Sequence, residues 1–224
     1  MHAYGWLLGG LLLVAAVREA PGEDAPGREQ IRVVAEAGLP GFLARIPAGA
    51  EADFGFSRTG DTARATLGEP LHLLTITPDA LRAYRPGDDV DTVLSETDMW
   101  YVPVLVDGEV RAVLVIDRMA EGWQAVSLGY AALAADLNAL QRAWPKAAGF
   151  DPQLVCVFQA RRYLFTIPQR GTRNLTLLSR GAVSESARRG AVETLADVAT
   201  VLEGLKPEVE ANLTGHAAPE GGRP

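Results

Sequence analysis

The strongest constraint on the fold is one stretch, Asp98–Gly129, which reads as three antiparallel strands in succession. Two apolar runs flank Asp107-Gly108, a dipeptide whose residues both tolerate positive φ and so suit a tight hairpin. A second turn, Met119-Ala120-Glu121-Gly122, leads into Trp123–Leu128. The middle run, Ala112–Ile116, is apolar at every position instead of alternating. Such a strand needs cover on both faces, which predicts a central place in a sheet. Pro103, in the first strand, has no amide proton for a ladder, which predicts an edge position or a solvent-facing backbone there.

The rest of the chain supplies elements to cover that sheet. Arg28–Ala37 has helical spacing and is expected to stop at Gly38, Pro40 and Gly41, with one more turn over Phe42–Ile46. Phe54-Gly55-Phe56 reads as a short extended piece that plugs a core. A short helix is expected over Asp61–Leu67 and a strand over Leu71–Ile76. Thr77-Pro78-Asp79 combines a hydroxyl cap, a proline at the first helical position and an early acid, which predicts a helix over Pro78–Tyr84. In Tyr130–Trp144, Leu133, Leu137, Leu140 and Trp144 recur every three or four residues and share one helix face. Strands follow at Gln153–Gln159 and Tyr163–Ile167, with a further candidate at Asn174–Leu178, and a helix is expected over Ser184–Leu205.

The predicted class is α+β: an antiparallel or mixed sheet built on a three-strand meander, with amphipathic helices packed against it. In architecture alone, a three-strand meander followed by a helix resembles small exported bacterial modules such as the PepSY-like domains. That resemblance carries no motif residue.

Residues 1–20 read as a signal peptide, with an apolar run at Trp6–Val17 and small residues at Val14-Ala15-Ala16 for cleavage. The run is too short for a comfortable membrane span, so no span is expected in the mature chain. Residues 21–27 form a linker by composition, 28–209 a single α+β domain, and 210–224 a disordered tail. The expected destination is therefore the periplasm or the extracellular space. The competing reading is an intracellular structural protein whose first residues are not a signal.

Charge is uneven. Residues 51–98 carry ten acids and four Arg, a net −6, whereas 161–190 carry seven Arg and one Glu, a net +6. The two segments either attract each other within the fold or present a basic face to an anionic surface. The overall net charge of −7 argues against a nucleic-acid partner, whose affinity would come from phosphate neutralisation.

Catalytic chemistry has few places to sit. His72 is the one histidine between the N-terminal segment and the tail, so a histidine zinc site is not expected. The single cysteine, Cys156, lies in an apolar strand, which points to an inert thiol and excludes an intrachain disulfide. There is no nucleophile elbow, phosphate loop or dinucleotide fingerprint, and no metal or cofactor is expected. The acidic loop 88–98 offers Asp88, Asp89, Asp91, Glu96 and Asp98, without the spacing of a calcium loop. Trp100-Tyr101 directs one aromatic to each sheet face, so one faces out unless a helix covers it. Asn174 and Asn212 each begin a glycosylation acceptor pattern, relevant in a eukaryotic host.

The expected function is that of an exported, soluble, non-catalytic domain that binds a protein, a peptide or a surface. The expected binding residues are Trp100, Tyr101, Asp88, Asp89, Asp91, Asp98, Arg161 and Arg162. The alternative is a carboxylate-dependent hydrolase centred on the 88–98 loop.

Overall fold

The computed structural model describes residues 27–58, 60–167, 175–177 and 196–215. Its frame is an eight-stranded mixed sheet. The strands are β1 (Thr66–Leu67), β2 (Leu71–Ile76), β3 (Leu94–Val106), β4 (Glu109–Met119), β5 (Gly122–Gly129), β6 (Gln153–Val157), β7 (Arg162–Thr166) and β8 (Leu175–Leu177). Their order is β5-β4-β3-β2-β6-β7-β8, and β1 pairs with β3. Among the described residues only the β2–β6 pairing is parallel. Among the described residues four helices accompany the sheet: α1 (Arg28–Leu43), α2 (Pro78–Ala83), α3 (Ala131–Ala143) and α4 (Val198–Gly215).

The meander forms where the sequence places it. Asp107 and Gly108 take φ of 54° and 81°, the left-handed pair that a two-residue hairpin requires. β4 alternates between two cores: Val113 and Val115 point to the α3 side, and Ala112, Leu114 and Ile116 point to the α1 side. Each fully buried Val, Leu or Ile contributes about 1.5–3 kcal/mol, so β4 anchors both layers.

Pro103 does not mark an edge. β3 is interior, with β4 on one side and β1 and β2 on the other. The Pro103 carbonyl accepts a hydrogen bond from the Gly68 amide at 2.7 Å, on the β1–β2 side. An extended residue directs its N and its O to the same side, so the amide-less nitrogen faces the break between β1 and β2. There three residues, Gly68–Pro70, stand opposite two on β3, as the register moves from Leu67↔Val104 to Leu71↔Tyr101.

α1 runs through Gly38, Pro40 and Gly41, where a stop was expected. Gly38 is a packing residue: a Cβ there would collide with the Ala125 Cβ on β5. Burial of Ile31, Ala35 and Leu39 against the sheet outweighs the poor helix propensity of the glycines and proline. Phe54 closes a 3-10 turn instead of an extended piece, and Phe56 is buried in the same core. Gly55 has φ of 91°, and a Cβ there would run into the Arg111 carbonyl. Asp61–Leu67 divides into a 3-10 turn at Thr62–Arg64 and β1.

The Thr77 hydroxyl accepts from the Ala80 amide at 3.2 Å and starts α2 as predicted. α3 buries the predicted stripe of Leu133, Leu137 and Leu140, with Trp144 just beyond it. Asn138 on α3 clamps the end of β4: its carbonyl accepts the Val110 amide at 2.8 Å, and its amide donates to the Val110 carbonyl at 2.7 Å. α4 continues to Gly215 and buries Val201, Leu202, Leu205 and Val209, so ordered structure extends past the expected domain end at 209. The expected helix segment before Ala196 lies outside the described residues.

The sheet is wider than one helix. α3 covers one face, where Leu73, Tyr101, Val113, Leu154 and Phe165 gather. Two separate cores share the other face. α1 covers the β3–β5 half, and α2 with α4 covers β2, β6 and β7.

Candidate functional site

A cleft of about 550 Å³ opens at the N-terminal ends of the parallel pair β2 and β6. It exists because β6 is short. Leu73, Leu74 and Thr75 of β2 pair with Leu154, Val155 and Cys156, but before Gln153 the chain turns away through Asp151 and Pro152. Leu71 and His72 therefore pair with β3 on one side, and neither they nor Glu69 and Pro70 before them have a strand on the other among the described residues.

The cleft is lined from both faces of the sheet. Leu137, Leu140, Trp144, Leu154 and Phe165 belong to the α3 core. Trp100 belongs to the α1 core on the opposite face. His72 stacks on Trp100, with ring centroids 4.5 Å apart and planes 16° from parallel. His72 Nε2 lies 2.7 Å from the Thr97 carbonyl oxygen, which can only accept, so Nε2 carries the proton. The Thr97 hydroxyl donates to the Leu73 carbonyl at 2.6 Å and ties the bulge of β3 to β2. The indole N–H of Trp100 is buried without an acceptor among the described residues.

Charged groups ring the mouth. Glu69 accepts from Arg28 at 2.7 Å and from Lys146 at 2.8 and 3.0 Å. The Lys146 ammonium, with Arg28 beside it, holds the Glu69 carboxyl below the usual carboxylate range. The Glu96 and Asp151 carboxylates also line the cleft and have no ionic or hydrogen-bond partner among the described residues.

The expected binding residues divide among three places. Trp100 lines the cleft, but as a buried wall and not as an outward hot spot. Tyr101 is buried on the opposite face under α3, where its hydroxyl lies 3.0 Å from that of Tyr163. Both aromatics are covered because each sheet face carries a helix. Burial pushes the Tyr101 phenol far above its ordinary value, and that of Tyr163 upward as well.

Asp88, Asp89 and Asp91 lie near the opposite end of the β2–β6 pair. Asp88 accepts the Arg85 amide at 2.8 Å, and Asp89 accepts the Asp91 amide at 3.1 Å and caps a 3-10 turn. Asp98 is exposed on β3. Of the 88–98 acids, Glu96 alone lines the cleft. Arg161 and Arg162 turn β6 into β7, Arg161 with φ of 51° and Arg162 paired with Glu208 of α4 at 3.4 Å. The other arginines of the basic segment, 170, 173, 180, 188 and 189, lie outside the described residues, as does Asn174. The Asn212 side chain donates to the Gln159 carbonyl at 2.8 Å.

Arg28, Glu69, Leu140, Trp144 and Lys146 were not singled out as site residues by sequence reasoning. The available signal was the Gly68-Glu69-Pro70 break opposite Pro103, two features that separately read as loop and edge.

Among the described residues, no group of three or more His, Cys, Asp and Glu is placed to hold a metal ion. No helix there is long and apolar enough to cross a membrane. Burial pushes the Cys156 thiol up to about 11, which leaves little thiolate at neutral pH. The chain matches no family model, no curated protein and no solved structure.

Proposed function

We propose that this protein is an exported, soluble, non-catalytic domain that binds a segment of a protein or peptide, and that the β2–β6 cleft is its binding site. The observation that carries the reading is the cleft itself. Its volume falls within the range of ligand sites, its floor is apolar, and its polar groups are concentrated at the mouth. The grouping of side chains around it suits retention better than bond breaking. His72 uses Nε2 on a backbone carbonyl, and Glu69 is held between two cations. Export rests on the apolar run and small residues of positions 1–20.

Amide-resolved NMR of the labelled protein, titrated with an envelope or culture extract, tests the site. The expected shifts fall on Glu69–Leu74 and Leu137–Trp144. Shifts confined to the 88–98 loop or the Arg161-Arg162 turn would move the binding surface to the other end of the β2–β6 pair. N-terminal sequencing of the mature protein tests export: a start near Val17 is expected, and an intact Met1 opposes it.

A further inference from the structure

We propose that the cleft receives its ligand as an added β-strand: an extended peptide with neighbouring apolar side chains and flanking Lys or Arg, laid along the unpaired edge Glu69–His72. The inference rests on the binding reading above and specifies its ligand. The ligand strand would take the place that β6 would fill if it began earlier.

Three observations converge. First, the edge is continuous with the sheet. β6 pairs with β2 from Leu73 onward, and the backbone just before it has no strand beside it among the described residues. Successive strand amides point to opposite sides, so Leu71 and His72, both in register with β3, offer this edge one donor between them, and Pro70 offers none.

Second, the cleft passes through the plane of the sheet. Successive side chains of a strand point to opposite faces. A strand laid here would send one side chain towards Trp100 and Leu74, and the next towards Leu140, Trp144 and Phe165. A cleft that opened onto one face would suit a flat ligand or a helix, and a strand needs both faces. Backbone pairing at a sheet edge then gives affinity, and the two side pockets give selectivity.

Third, the charge at the mouth is complementary to basic flanks. Glu69 already neutralises part of Arg28 and Lys146, whereas Glu96 and Asp151 are unpaired among the described residues. Rim charges of this kind steer encounter and discriminate among partners.

The test uses the full chain and two pools of capped hexapeptides. Each peptide carries Lys at both ends and Ala, Val, Leu or Phe at the central positions. The second pool is identical except for N-methylation of alternate central amides, which blocks strand pairing and keeps the side chains. The first pool is expected to move the Glu69, Leu71 and His72 amides and the fluorescence of the cleft tryptophans. The N-methylated pool is expected to bind at least tenfold more weakly. Asp151→Lys, at an exposed position, is expected to weaken the first pool at least threefold without changing the melting temperature of the free protein.

Equal affinity of the two pools would overturn strand addition and leave cleft binding intact. No cleft response to either pool would also overturn strand addition, and cleft binding would then stand or fall on the extract mapping. An Asp151→Lys variant that binds as well as the parent would overturn the basic-flank requirement.

Discussion

Glu69 shows how a single side chain at this site links charge to stability. Its folded pKa is depressed by Lys146 and Arg28. A depressed carboxylate stabilises the fold at pH above its unfolded value of about 4.3, and that stabilisation is lost as pH falls through the lower folded value. The carboxylate is 48% exposed, so solvent screening keeps the effect small. Glu69→Gln is therefore expected to lower the melting temperature slightly at neutral pH, and by progressively less as pH falls through the depressed folded value. Molar salt should shrink the neutral-pH difference, and thermal melts across that range check both effects. Trp100 gives a second test at this scale. Trp100→Phe removes a buried N–H that has no acceptor among the described residues, so its cost should stay below about 1 kcal/mol, against about 3–5 kcal/mol for Trp100→Ala. Urea unfolding of the two variants measures the gap. A Trp100→Phe cost as large as that of Trp100→Ala would mean that the indole nitrogen does contribute a favourable contact.

At the scale of elements, local signals and tertiary packing agreed in some places and conflicted in others. The hairpin at Asp107-Gly108 and the Thr77 cap were legible because their chemistry is contained within a few residues. The end of α1 was not legible, because Gly38 is explained by Ala125, a residue on a distant strand. Pro103 misled for the same reason: its missing amide proton is accommodated by a break in another strand, not by solvent. The Gly38 contact makes a prediction that runs against propensity. Gly38→Ala would gain about 1 kcal/mol if helix propensity decided the outcome. The collision with Ala125 is expected to dominate and give a net destabilisation of about 1–3 kcal/mol. Ala125→Gly in the same chain should recover most of that loss, which denaturant midpoints of the single and double variants will show. Asn138→Ala should cost a similar amount, about 1–3 kcal/mol, because it removes both hydrogen bonds to the Val110 backbone at the start of β4.

Across the whole molecule, the fold class follows from the order of elements, but the site does not. The cleft depends on where β6 begins relative to β2, and those strands are separated in sequence by α2, the meander and α3. No local pattern encodes that offset, so the sequence could suggest a helix-covered sheet without locating the gap in it. The same parallel pairing joins the meander to the β6–β8 half of the sheet, and α3 bridges the joint by packing on residues from both sides. Leu73 lies at that joint with no solvent exposure, opposite Leu154. Leu73→Ala is expected to cost about 2–5 kcal/mol. If the joint makes the molecule one cooperative unit, the loss must appear everywhere at once. Trp100 and Trp123, in the α1 core of the meander half, report by fluorescence, and the amides of β6 and β7 report by hydrogen exchange. Both probes should shift by the same free energy in the variant. If exchange accelerates in β6 and β7 while the tryptophan transition stays in place, the two halves unfold separately and α3 does not bind them into one core.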